Sequence, residues 1–71
     1  MTEQNFINLI IDQIESESTA TLETELMSID GWDSLASMIT IGLAADHFNK
    51  DLTSEQIRNC NTFQDILNLL K

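Results

Sequence analysis

Seventy-one residues suffice for one small domain, since a chain of roughly 60 residues buries only about 60% of the surface its unfolded form exposes. Ordering such a chain costs on the order of 1.5 kcal/mol per residue, so the 42% hydrophobic residues must nearly all serve one shared core, and little is left to enclose a substrate. That argues against an autonomous enzyme. Twelve acidic residues against three basic ones give a formal charge of −9, which excludes nucleic-acid backbones as partners, repels anionic membrane surfaces and favours proteins with basic patches.

Along the chain, Phe6, Leu9, Ile10 and Ile14, with Ile7 and Ile11 widening the stripe, recur at spacings of three and four and predict a first amphipathic helix from about Glu3 to Glu15. From Ser16 to Thr24, Ser and Thr mixed with acids bond locally to the backbone and compete with regular structure, which predicts a loop continuing to about Asp33. So long a connection needs anchors, and Leu22, Leu26, Met27 and Ile29 are available to dock it, with a short extra turn near Leu22 to Leu26.

Asp30-Gly31 then supplies turn chemistry, and Asp33 or Ser34 a helix cap. Leu35, Met38, Ile39, Ile41, Gly42, Leu43, Ala45 and Phe48 cover a wide arc, predicting a central second helix that touches neighbours on more than one side and runs to His47 or Phe48. Asn49-Lys50-Asp51 stops it. Thr53 followed by Gln56 has the spacing of a capping box and introduces a short helix carrying Ile57. Asn61 or Thr62 caps a last helix in which Phe63, Ile66, Leu67 and Leu70 repeat, with Asp65 in its first turn and Lys71 at its end. The expected fold is an all-α four-helix bundle, three longer helices and one short, with the long loop between the first two, spanning residues 1–71 as one domain.

Cys60 is the single cysteine, so no intramolecular disulfide forms and no cysteine cluster offers itself to zinc. A reducing compartment is expected. There is no basic-then-apolar leader and no apolar run of the roughly 20 residues that a membrane span needs, so the expectation is a cytoplasmic protein. Asp30 and Asp33 do not reproduce the spacing of a calcium loop, and no metal site is expected.

The residues with chemical promise are Asp33-Ser34-Leu35. A serine in the first turn of a helix lies beside unpaired N–H groups and the positive end of the macrodipole, where a phosphate is stabilised by roughly 0.3–1 kcal/mol per contact. Activation as a nucleophile needs an adjacent base, and the one histidine, His47, is thirteen residues on, about 20 Å along the same helix. A Ser–His pair within the chain is thereby excluded. Any chemistry on Ser34 must come from a second enzyme, and any reaction must occur on a group the serine carries. Alone, such a serine is an ordinary cap; the surrounding architecture favours attachment.

Asp33-Ser34-Leu35 opening the second of four helices after a long loop, led in by Gly31-Trp32, resembles the acyl carrier protein family, whose members include acyl and peptidyl carriers. The similarity extends over nearly the whole chain, to Phe48 closing the second helix and the Thr62-Phe63-Gln64-Asp65-Ile66 segment. It implies a discrete carrier with no activity of its own, modified on Ser34 with 4'-phosphopantetheine by a phosphopantetheinyl transferase that uses coenzyme A and magnesium. It implies that Asp33 assists the transferase's metal, that Leu35 is a hydrophobic contact, and that the arm carries thioesters. Further partners implied are an acyl- or aminoacyl-loading ligase and acyltransferase or synthase enzymes. A flexible arm on one small domain presents its cargo to several active sites at high effective concentration.

Fatty-acid carriers usually bear several carboxylates along the second helix; this chain has Ala36, Ile39 and Ala45 where such acids often stand and Asp46 as the sole acid within it. The docking face is therefore expected to be apolar, formed by Trp32, Ala36, Met38, Ile39 and Ile57, as in carriers of specialised pathways. Trp32 is expected to be partly buried. Met38, Ile41 and Ile57 read as core, with an interior that opens for an acyl chain as the sharper alternative. His47 reads as a surface residue and Cys60 as a partly buried structural thiol. The competing function is a small acidic interaction module that binds a basic partner. A monomer is expected, and the cargo has no signature.

Overall fold

The computed structural model describes residues 1–71. It contains four α-helices and no strand: α1 (Glu3–Gln13), α2 (Ser34–Phe48), α3 (Ser54–Arg58) and α4 (Phe63–Leu69), with a 3-10 turn at Leu26–Ser28 inside the long α1–α2 connection. No helix is long and apolar enough to cross a membrane.

Helix α1 stops two residues short of the predicted end. Glu15 takes a left-handed conformation, φ 56°, and the N–H groups of Glu15 and Ser16 donate back to the carbonyls of Asp12 and Ile11. This is a Schellman closure built without glycine. Helix α2 runs the full fifteen residues to Phe48, and Asn49, also left-handed at φ 56°, ends it. The capping box of Thr53 and Gln56 forms at α3, and Thr62 with Asp65 forms a second one at α4.

The long connection is ordered because its backbone groups find partners, as a packed loop requires. Residues 22–26 run beside the approach to α4: Leu26 N–H donates to the Asn61 carbonyl at 2.8 Å, Gln64 N–H to Leu22 at 2.9 Å and Phe63 N–H to Thr24 at 3.3 Å. An isolated antiparallel bridge between Glu25 and Thr62 belongs to the same ladder. The Gln4 side chain of α1 reaches the Ala20 carbonyl at 2.8 Å, and Ser18 Oγ accepts from the Asp30 N–H. Leu26 and Ile29 are buried as expected anchors and Leu22 is half-buried, but Met27 is 85% exposed and anchors nothing. Within the 3-10 turn Leu26 faces the core, so its neighbour is turned out.

Phe6, Ile7 and Ile10 of α1 meet Phe63, Ile66 and Leu67 of α4 in a single core with Leu26, Ile29, Leu52 and Ile57. Phe6 stands edge-on to Phe48 at 4.9 Å, tying α1 to the end of α2. Helix α2 lies against both α1 and α3, as its wide apolar arc predicts. Its deepest line, however, is Ala36, Thr40 and Ala44, spaced by four, with the Thr40 hydroxyl donating to the Ala36 carbonyl at 2.9 Å. Small side chains let a central helix approach its neighbours closely. The larger residues of α2 are pushed to the flanks and the surface. Lys71 ends the chain 3.7 Å from Glu3, an exposed pair contributing at most about 1 kcal/mol.

The Asp65 carboxylate accepts from the Asn61 N–H at 2.9 Å and the Thr62 N–H at 3.2 Å, and these bonds hold its pKa below the ordinary 3.8. A carboxylate depressed in the folded state adds stability that is complete above 3.8 and disappears as the pH falls through the lower folded value. Asp65→Asn is therefore expected to melt at a lower temperature than wild type at pH 7. The gap between the two melting temperatures should narrow as the pH is taken below 3.8; a gap that stays constant would show that the charge is not what the Asp65 bonds stabilise.

Candidate functional site

The chain turns sharply into α2. Trp32 N–H donates to the Ile29 carbonyl, and Gly31 holds φ 85°, a left-handed value that a residue with a Cβ adopts only under strain. Asp33 then takes an extended conformation as the N-cap, and its Oδ1 accepts from the Ala36 N–H at 3.0 Å. Asp33 rather than Ser34 is thus the cap. Ser34 is the first helical residue, exposed, with its hydroxyl not committed to closing the helix. Of the first-turn donors, the Ala36 N–H is taken by Asp33, while those of Ser34 and Leu35 precede the first intrahelical bond and face the space beyond the helix end.

Ser34 stands on a cleft of about 510 Å³ where the α2 start, α3 and the 3-10 turn meet. Its apolar lining comes from Leu26, Met27, Trp32, Met38 and Ile57, and its polar rim from Asp33, Ser34, Ser37, Ser54 and Arg58. The Trp32 ring packs edge-on against buried Phe63 at 5.9 Å, so the half-buried indole both secures the lead-in to α2 and walls the cleft. His47 is exposed in the last turn of α2, at the opposite end from Ser34.

Five of the expected site residues, Trp32, Asp33, Ser34, Met38 and Ile57, meet in this cleft. Leu35 lies outside it and is 61% exposed; Ile39 is half-buried. Three expectations are corrected. Ala36, placed by sequence on a docking face, is 1% exposed, because it begins the small-residue line along which α2 meets the core. Ile57, expected both on the docking face and as core, is 2% exposed and serves as cleft floor and core, since the short α3 has one apolar position with which to hold itself down. Met38, also read as core, is instead 66% exposed.

Sequence reading missed Met27, Ser37, Ser54 and Arg58 on the cleft. The spacing of Ser54 and Arg58 was a usable signal, because residues four apart share one helix face. Cys60 also reaches the cleft. Its Sγ donates to the Gln56 carbonyl at 3.3 Å, and burial followed by the nearby Asp65 charge raises the thiol's pKa. A thiol held protonated is a poor nucleophile, in keeping with a structural role.

Comparison with family models, with characterised proteins and with solved structures finds no match to this chain.

Proposed function

We propose that this protein is a discrete carrier of acyl-carrier type, non-catalytic, whose Ser34 accepts 4'-phosphopantetheine from coenzyme A through a phosphopantetheinyl transferase. The observation that carries the reading is the position of Ser34: first residue of α2, exposed, relieved of capping by Asp33 and set beside an open apolar cleft. In the loading step a P–O bond forms to Ser34 Oγ and the phosphoanhydride bond of coenzyme A breaks. Adenosine 3',5'-bisphosphate leaves with the electron pair, and the hydroxyl proton passes to a base of the transferase. The attached arm supplies a terminal thiol for thioester cargo.

The chain's own residues have simpler tasks. Asp33 holds the first turn rigid with one carboxylate oxygen, leaving the other free to approach the transferase's magnesium. The first-turn N–H groups and macrodipole favour the incoming phosphate. The chain brings no histidine to Ser34 and commits the neighbouring Asp33 carboxylate to capping the helix, so a partner supplies the base that activates the serine. A transferase assay read by intact mass, with Ser34→Ala as control, tests the assignment.

Loading, ligase and acyltransferase or synthase partners would dock on the apolar surface around Ser34. Met27, Leu35 and Met38 stand 85%, 61% and 66% exposed around the start of α2, an unusual amount of large apolar side chain for so acidic a chain. Fewer than about 30% of interface residues cost more than about 1 kcal/mol when truncated, and those cluster at the centre of the patch, where Leu35 and Met38 would lie. Leu35→Ala and Met38→Ala are each expected to lower the transferase's kcat/KM by about tenfold while moving stability by no more than about 0.5 kcal/mol. Kinetics beside circular-dichroism melts would check this, and unchanged kinetics in both variants would remove the docking assignment. Ile39 is a less clean probe, because it is half-buried.

A further inference from the structure

Arg58 is one of three cations in a chain of charge −9, and the only one that lines the cleft holding Ser34. Lys71 pairs with Glu3, and Lys50 follows the far end of α2. Arg58 lies within ion-pair distance of no carboxylate, although twelve acids are available. Asp33, the acid on the same cleft, has turned its Oδ1 into its own helix to cap Ala36. An exposed guanidinium therefore faces a cleft whose remaining polar groups include the hydroxyls of Ser34, Ser37 and Ser54. Ser54, one turn before Arg58 on α3, shares its face.

Resting on the carrier reading, we propose that Arg58 is the anion partner of the Ser34 site and pairs with the phosphodiester of the arm, laying its first segment across the cleft toward α3. Three points select a phosphodiester. It is bonded to Ser34 Oγ itself and so enters this cleft by construction, whereas the cargo rides at the far end of a long arm. It places a permanent negative charge beside Asp33, a repulsion that a nearby cation offsets. The planar guanidinium fork matches two phosphoryl oxygens better than an ammonium does. Arg58 is thus a positioning residue that biases where the arm begins its path, with the acidic remainder of the surface keeping the phosphate from other attachments.

The test uses 15N-labelled protein before and after loading, with intact mass establishing one arm on Ser34. Loading is expected to shift the Arg58 Nε–H resonance and the backbone amides of α3. The 31P resonance of the phosphodiester should differ between wild type and Arg58→Gln, with Arg58→Lys between them. In Arg58→Gln the loading-induced shifts on α3 should be lost, and in wild type they should shrink at about 1 M salt, where the screening length is about 3 Å. Loading that leaves Arg58 and α3 unmoved, or moves α3 equally in Arg58→Gln, overturns this proposal alone. An Arg58→Gln defect seen only in the presence of a partner enzyme, with 31P unchanged, also overturns it and assigns the arginine to docking. Absence of any mass gain on wild type overturns this proposal together with the carrier reading. Arg58 is exposed, so the variants keep the core, and their 15N spectra report the fold directly.

Discussion

Incubated with coenzyme A, magnesium and a broad-specificity phosphopantetheinyl transferase, the protein is expected to gain the mass of one phosphopantetheine, and Ser34→Ala to gain nothing. The effect should be all-or-none, because a single oxygen is the acceptor. Ser37 and Ser54 also put hydroxyls on the cleft, which makes their alanine variants informative controls: both should still load. They lie within α2 and at the start of α3, whereas Ser34 alone sits at the start of the long helix. Asp33 can be divided by substitution. Asp33→Asn keeps a capping oxygen and removes the charge, so it should load more slowly with little change in melting temperature. Asp33→Ala also loses the cap, at a cost of about 0.5–2 kcal/mol. No mass gain on wild type, or a gain that survives Ser34→Ala, would sink the carrier assignment and leave the acidic interaction module as the better account.

Phe63→Ala is expected to bring the domain to the edge of unfolding. Phe63 is 0% exposed, belongs to the shared core, and is the ring against which Trp32 packs. Removing a buried phenylalanine costs about 3–5 kcal/mol. At about 0.05–0.15 kcal/mol per residue, the whole chain has roughly 4–11 kcal/mol to lose. Trp32 is the sole tryptophan, so its fluorescence reports the loss directly: the urea midpoint should fall by about a quarter or more, with the emission shifted to the red before denaturant is added. Met27→Ala is the matched control. Its side chain is exposed, and its stability should stay within about 0.5 kcal/mol of wild type. Equal losses in both variants would mean that the core does not centre on Phe63.

Helix number and order were legible, and the caps of the last three helices to within a residue, because each is written locally. The Thr53 and Thr62 caps, the stop at Asn49 and the periodicity of α1 and α4 depend on neighbours within a turn, and local chemistry decides them. The Asp33-Ser34-Leu35 tripeptide was legible as a helix start for the same reason, while the choice of Asp33 over Ser34 as cap came from the structure. The end of α1 was not: Glu15 in a left-handed conformation is unfavourable for its residue type, and only the closure bonds to Ile11 and Asp12 make the early stop worthwhile. The outward Met27 and the buried Ala36 were likewise hidden, since hydrophobicity alone ranks methionine as an anchor and alanine as indifferent.

Local spacing and composition thus sufficed for an all-α chain, for the starting points of its helices and for the serine at the head of the longest one. Which side of α2 goes inward was settled by packing, because a central helix between two neighbours buries what lets them come close, and Ala36, Thr40 and Ala44 do that better than Leu35 or Met38. The cleft, with Arg58 brought to the same rim as Ser34 from twenty-four residues away, exists only once α3 is held by Ile57 against the core. Such long-range juxtaposition depends on the summed burial of many side chains, and no window of neighbouring residues contains it.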